Sequence, residues 1–140
     1  MTRMEASEAS EINEFLRVVA LRKGRLNRSE FSLRRGEQGL SLFARVDRPS
    51  PAAVIEAVRA LGKRGDLAAA VIPAEEIRAL GLTLVRTRGG TSEAEVNAIH
   101  YEARVSWLRR CIVRLRGIQL PDYFNEHLSH RLCALARVLD

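Results

Sequence analysis

Apolar and polar positions alternate along much of the first half of the chain and gather at helical spacing along the second. Phe15 to Leu21 is apolar and β-prone and reads as a first strand. Phe31-Ser32-Leu33-Arg34 and Leu40-Ser41-Leu42-Phe43-Ala44-Arg45-Val46 alternate as half-buried strands do. Gly36 and Gly39 bracket Glu37 and Gln38 between them, so the two arms are expected to form a hairpin around a tight glycine turn.

Arg48-Pro49-Ser50-Pro51 breaks this pattern and starts a helix, with Ser50 as its cap and Pro51 in its first position. Val54, Ile55, Val58 and Leu61 then recur at 3–4 spacing until Gly62. Leu67 to Ile72 is a short apolar run, predicted as a buried strand. Pro73 to Leu80 is a short helix with acids at its start, closed by Gly81. Leu82 to Arg86 alternates as another strand, and the three pieces suggest a crossover unit.

From Ser92 the period lengthens. Ser92-Glu93-Ala94-Glu95 matches a capping box, and Val96, Ile99, Ala103, Trp107 and Cys111 follow at helical intervals up to Gly117. A long helix, whole or in two pieces, is the expectation. The competing reading is a strand through Ala98 to Ala103 with a helix starting later. After the hinge Gly117 to Pro121, a last helix from Asp122 to Leu139 carries the stripe Phe124, Leu128, Leu132, Leu135 and Leu139.

The fold class is therefore α+β: a small, mostly antiparallel sheet covered by helices over one face and ending in a C-terminal helical hairpin. Residues 1–13, with Glu5, Glu8 and Glu11, read as a flexible acidic tail, and 14–140 as a single domain.

Composition sharpens this picture at three points. At 46 % hydrophobic and 29 % charged the chain is globular, and with aromatics at 5 % the core is expected to be Leu, Val, Ile and Ala. The formal charge is +6, and all but two of the 23 cations are arginine, whose fork suits phosphate and carboxylate. The abundance of Ala, Leu and Gly beside it is also what a GC-rich genome produces. No run is apolar enough for a membrane span, the N-terminus is too acidic for a signal peptide, and the expected location is cytoplasmic. Cys111 and Cys133 lie far apart among apolar neighbours and read as buried thiols.

Four places invite chemistry. The Gly-x-x-Gly turn with Arg34 and Arg35 is a phosphate candidate, although Glu37 opposes an anion and a simple turn is the plainer reading. His100 and Glu102 share a face if the backbone there is a strand, as a base and its partner would, and diverge if it is a helix. His127, His130 and Cys133, with Glu126, step around a helix without converging on a metal, so no metal or cofactor is expected. Arg104, Arg109, Arg110, Arg114 and Arg116 form a basic stretch without an acid, suited to nucleic-acid phosphates or an acidic partner, though exposed aromatics that would stack on bases are not expected. Arg131 falls inside the last apolar stripe and is expected to snorkel or to pair with a buried acid such as Glu37 or Glu102.

The segment Leu33-Arg34-Arg35-Gly36-Glu37-Gln38-Gly39-Leu40-Ser41-Leu42-Phe43 resembles one found in small bacterial proteins of unassigned function. The resemblance implies a bacterial origin and carries no activity. The leading expectation is a non-enzymatic binding or accessory module that meets nucleic acid or an acidic partner through Arg25, Arg34, Arg35, Arg109, Arg110 and Arg116. One alternative is a small enzyme on a phosphate-bearing or nucleotide substrate, using His100 and Glu102 for proton transfer. Another is a structural subunit of a larger complex.

Overall fold

The computed structural model describes residues 11–139. The tail expected over residues 1–13 lies outside them as far as residue 10. Where the description begins, the chain is already tied in: the Asn13 carbonyl accepts from Ala74 N at 2.8 Å, and Ile12 packs against the core.

Six strands form one antiparallel sheet. They are β1 (Glu14–Leu21), β2 (Leu40–Ala44), β3 (Asp66–Pro73), β4 (Leu82–Arg86), β5 (His100–Val105) and β6 (Arg137–Val138), in the order β4-β5-β2-β1-β3-β6. The helices are α1 (Pro51–Ala60), α2 (Ala74–Ala79), α3 (Ala94–Ala98), α4 (Trp107–Leu115), α5 (Leu120–His127) and α6 (Ser129–Leu135). The fold is α+β with helices near its C-terminus, as the apolar pattern implies.

Strand alternation divides the core in two. On one face Phe15, Val19, Leu40, Leu42, Tyr101 and Ala103 meet Phe124, Leu128 and Leu132 of α5, α6 and the turn between them. On the other, Leu16, Val18, Phe43 and Val71 meet Val54 and Ala57 of α1 and Val96 of α3. Helices thus cover both faces, not one, because β1 and β3 bury side chains in both directions. All four phenylalanines are buried, so aromatic residues, though few, are central to the core.

Several elements form as expected. Ser50 Oγ accepts from Ala53 N at 3.2 Å, Pro51 begins α1, and β3, α2 and β4 make a crossover that spans β1, β2 and β5. Others differ. The first hairpin arm is not a strand: Arg28–Phe31 is a single 3-10 turn, and the chain runs irregularly to β2. There the side chain of Asn125 takes over the role of a strand partner. Its Oδ1 accepts from Leu33 N at 2.7 Å and its Nδ2 donates to Leu33 O at 3.0 Å. Gly36 has the positive φ of a turn (+90°), but Gly39 serves close approach instead. A Cβ there would lie 2.7 Å from Arg104 Cγ and 2.9 Å from the Ala103 carbonyl.

The long helix from Ser92 does not form. Residues 100–105 are the strand β5, in register with β2 through Phe43↔His100 and Ser41↔Glu102. Tyr101, Ala103 and Val105 point into the core and His100, Glu102 and Arg104 to the other face. A strand buries the first three together, and a helix would scatter them. The capping box is not formed either: α3 begins at Ala94, with Glu93 in its cap position and no side-chain cap. The last helix breaks at Leu128 and ends in β6, which pairs with β3.

Candidate functional site

Helix α4 is inverted relative to its sequence pattern. Ser106 Oγ caps it, accepting from Arg109 N at 3.4 Å, and Val113 is its buried residue. At about 100° per residue, Trp107, Leu108, Cys111, Ile112 and Leu115 then fall on the side away from Val113. Trp107 is 71 % exposed, Leu108 65 % and Leu115 87 %. The expectation that Trp107 and Cys111 continue a buried stripe fails, because β5 ends the apolar register at Val105 and α4 starts a new phase. An exposed aromatic is therefore present beside the arginines, contrary to the sequence expectation.

Arginines hold both flanks of this apolar strip. On one side Arg110 and Arg114 border a groove of about 540 Å³ with Trp107, Cys111, Ile118 and Leu120. Arg110 Nε is buried there without a hydrogen-bond partner. On the other side Arg109 and Arg116 share a groove of about 680 Å³ with Arg131, His127, His130 and Tyr123. Among the described residues no carboxylate lines either groove, and Arg109, Arg110, Arg114, Arg116 and Arg131 make no ion pair. Arg131 is exposed in the groove, not inside an apolar stripe, because the break at Leu128 re-phases α6. The acids named as its partners are engaged elsewhere: Glu102 holds Arg104 at 2.7 Å, and Glu37 Oε1 accepts from Arg34 N.

The remaining predicted cations stand apart from α4. Arg25 belongs to a tight turn after β1 that reverses through Lys23 and Gly24, both with positive φ. Arg34 and Arg35 are exposed beside Gly36. The Glu37 carboxylate accepts the Arg34 amide at 2.6 Å, so the turn's own acid fills the place a phosphate would take. Cys111 and Cys133 are free and half-buried, and burial pushes the Cys133 thiol up.

His100 and Glu102 do share a sheet face, but no hydrogen bond joins them. His100 lies edge-on to Phe43, with Nδ1 2.7 Å from Thr87 Oγ1 and Nε2 3.0 Å from Ser41 Oγ. Burial lowers its pKa, and the charge of Glu102 and the contact with Thr87 only partly oppose this, while Arg17 adds to it. A neutral imidazole between two hydroxyls can pass a proton along that chain, but no carboxylate orients it.

Beside His100 is Arg17, a residue that the sequence analysis did not single out. Its signal was a lone charge inside the strand Phe-Leu-Arg-Val-Val-Ala-Leu. β1 and β2 pair only through Phe15↔Ala44 and Leu16↔Phe43. Beyond that point Arg17 Nε donates to the Glu30 carbonyl and Nη1 to the Ser41 carbonyl, both at 2.8 Å. Burial pulls its pKa down to about 10.

No protein-family model matches this chain, and no curated protein or solved structure matches it either.

Proposed function

We propose that this protein is a non-enzymatic docking module whose helix α4 seats an amphipathic, acidic helix of a partner protein. The observation that carries this reading is the outward apolar strip Trp107, Leu108, Ile112 and Leu115, rimmed by arginines and free of acids. Trp and Arg are the residue types that dominate protein interfaces, and apolar strips on helices are read by grooves or partner helices. Aliphatic side chains gain little from phosphates or bases, so the strip favours a protein over nucleic acid. Two copies of this chain packing through α4 would bring arginine against arginine, which charge repulsion disfavours.

Trp107 is the only tryptophan, so its emission reports on this surface directly. A helical peptide of about 20 residues, with a leucine stripe rimmed by glutamates, should bind saturably and shift the emission to the blue. A matched peptide rimmed by lysines should not. Leu115→Asp and the pair Arg110→Glu with Arg114→Glu should each weaken binding by about tenfold or more. Equal binding of both peptides overturns the reading. So does binding of a single-stranded oligonucleotide with steep salt dependence in place of the acidic peptide, or a concentration-dependent dimer that masks Trp107.

A further inference from the structure

The cleft beside His100 lies on the sheet, away from the strip on α4, and holds a half-buried cation that the docking reading does not use. Arg17 donates to two main-chain carbonyls, and among the described residues no carboxylate forms an ion pair with it. The Glu30 carboxylate is committed elsewhere. Its Oε1 accepts from Ala20 N at 2.7 Å and lies 2.9 Å from Lys63 Nζ. Burial pushes the Glu30 carboxyl up, but those bonds and the charges of Lys63 and Arg17 outweigh it and hold it below the usual range. Lys63 and Glu30 thus pair with each other, and Arg17, which feels the charges of Glu30 and Glu37 only at a distance, has no carboxylate in contact. A half-buried guanidinium without a contacting anion gains charge-assisted hydrogen bonds from one that completes it.

The space to complete it is present. Arg17 lines a cavity of about 200 Å³ together with Ser41, Lys63, Thr91 and His100, and Val18, Phe43, Val58 and Leu61 give it apolar walls. The wall at Thr91 is built in advance. Asn97 Oδ1 accepts from Thr91 N and Oγ1 at 2.9 and 2.7 Å, and its Nδ2 donates to Thr91 O at 2.8 Å. Gly89 lets the loop approach, since a Cβ there would come within 2.6 Å of Asn97 Oδ1. A rigid, partly apolar pocket with a few converging polar groups is the usual form of a small-molecule site.

We propose that this cleft binds a small organic carboxylate, its oxyanion on Arg17 and its short apolar tail between Val18, Phe43, Val58 and Leu61. A single guanidinium without a contacting carboxylate matches a monoanion better than a dianionic phosphate. The cavity is also smaller than the roughly 300–1,000 Å³ of sites for larger ligands, which limits the tail to a few carbons.

The test is a titration of the full chain with butyrate, butyramide and inorganic phosphate at constant ionic strength, followed by amide ¹H–¹⁵N shifts. Butyrate should move Ser41, Gly90 and Thr91 saturably. Butyramide, which has the same shape without the charge, and phosphate, which lacks the tail, should each bind about tenfold more weakly or worse. Val58→Phe, which fills the tail half from α1, should abolish the butyrate shifts at an unchanged fold. Arg17→Met should do the same if it folds. If either variant fails to fold, the three ligands on the unaltered chain still decide. Absent or unsaturable butyrate shifts overturn the proposal, as does butyramide or phosphate binding as tightly as butyrate.

Discussion

Helices α1 and α4 have similar length and both alternate apolar with charged residues, yet they use their apolar sides in opposite ways. α1 turns Val54 and Ala57 onto the sheet, where they close the core against Leu16, Val18 and Val71. α4 anchors itself through Val113 and leaves Trp107, Leu108 and Leu115 in solvent. The difference follows from what each helix lands on. α1 crosses β1 and β3, which present apolar side chains on that face, whereas α4 follows directly from β5 and borders two grooves instead of covering a strand. An amphipathic pattern therefore predicts that a helix exists, but not which way its apolar side faces.

The sharpest way to break this comparison is to place the same charge on both helices. Val54→Asp buries a carboxylate in the second core cluster without a partner, and it should cost about 3 kcal/mol or more, measured by urea unfolding. Because small domains are stable by only about 5–15 kcal/mol, part of the population should unfold at moderate temperature. If Val54→Asp were tolerated, α1 would not be the packed helix that its burial describes.

A smaller effect should come from the polar side of the same sheet face. Burial is the largest influence on His100 and lowers its pKa in the folded state. The unfolded chain, with a histidine pKa of about 6.5, therefore binds more protons than the folded one as pH falls through that region. The sign is fixed by this: the contribution is fully present above about pH 6.5 and is lost as pH falls toward the depressed folded value. Glu102 opposes the shift and Arg17 reinforces it, so both must be kept intact. Unfolding free energies of the unaltered chain and of His100→Asn, compared between pH 7.5 and 5, should differ in slope, with the unaltered chain losing more on acidification. Parallel slopes would mean that His100 stays solvated.

How much of this was legible depends on whether one period ruled a segment. β3 is one unbroken apolar run and α2 and β4 follow a single pattern each; all three have bounding Pro or Gly residues, and they formed where the pattern placed them. Residues 96–111 carry two periods at once. The helical series Val96, Ile99, Ala103, Trp107 overlaps the strict alternation of His100 to Val105, and the pairing of β5 with both β2 and β4 decides between them. Local spacing cannot contain that information, since the partners are distant in the chain. The same holds for Arg17. Its sequence neighbours mark only an unusual residue in a strand, and the carbonyls of Glu30 and Ser41 that hold it arrive by tertiary folding. Arg109 and Arg116 were legible as members of one basic stretch, but Arg131 joins them only because the chain breaks at Leu128.

The smallest expected change in stability is the most informative about α4. Leu108→Ser and Leu115→Ser remove two of its largest apolar side chains, yet both are mostly exposed, so little burial is lost. Each should alter the unfolding free energy by no more than about 0.5 kcal/mol, as exposed substitutions usually do. A buried leucine truncated in the core would instead cost about 2–5 kcal/mol. Selection for solubility alone would favour serine at both places, because exposed apolar patches promote association. Leucine at two exposed places that folding does not require fits the proposed docking surface. If Leu115→Ser cost as much as a core truncation, the helix would be covered by a part of its own chain, and the strip would be interior.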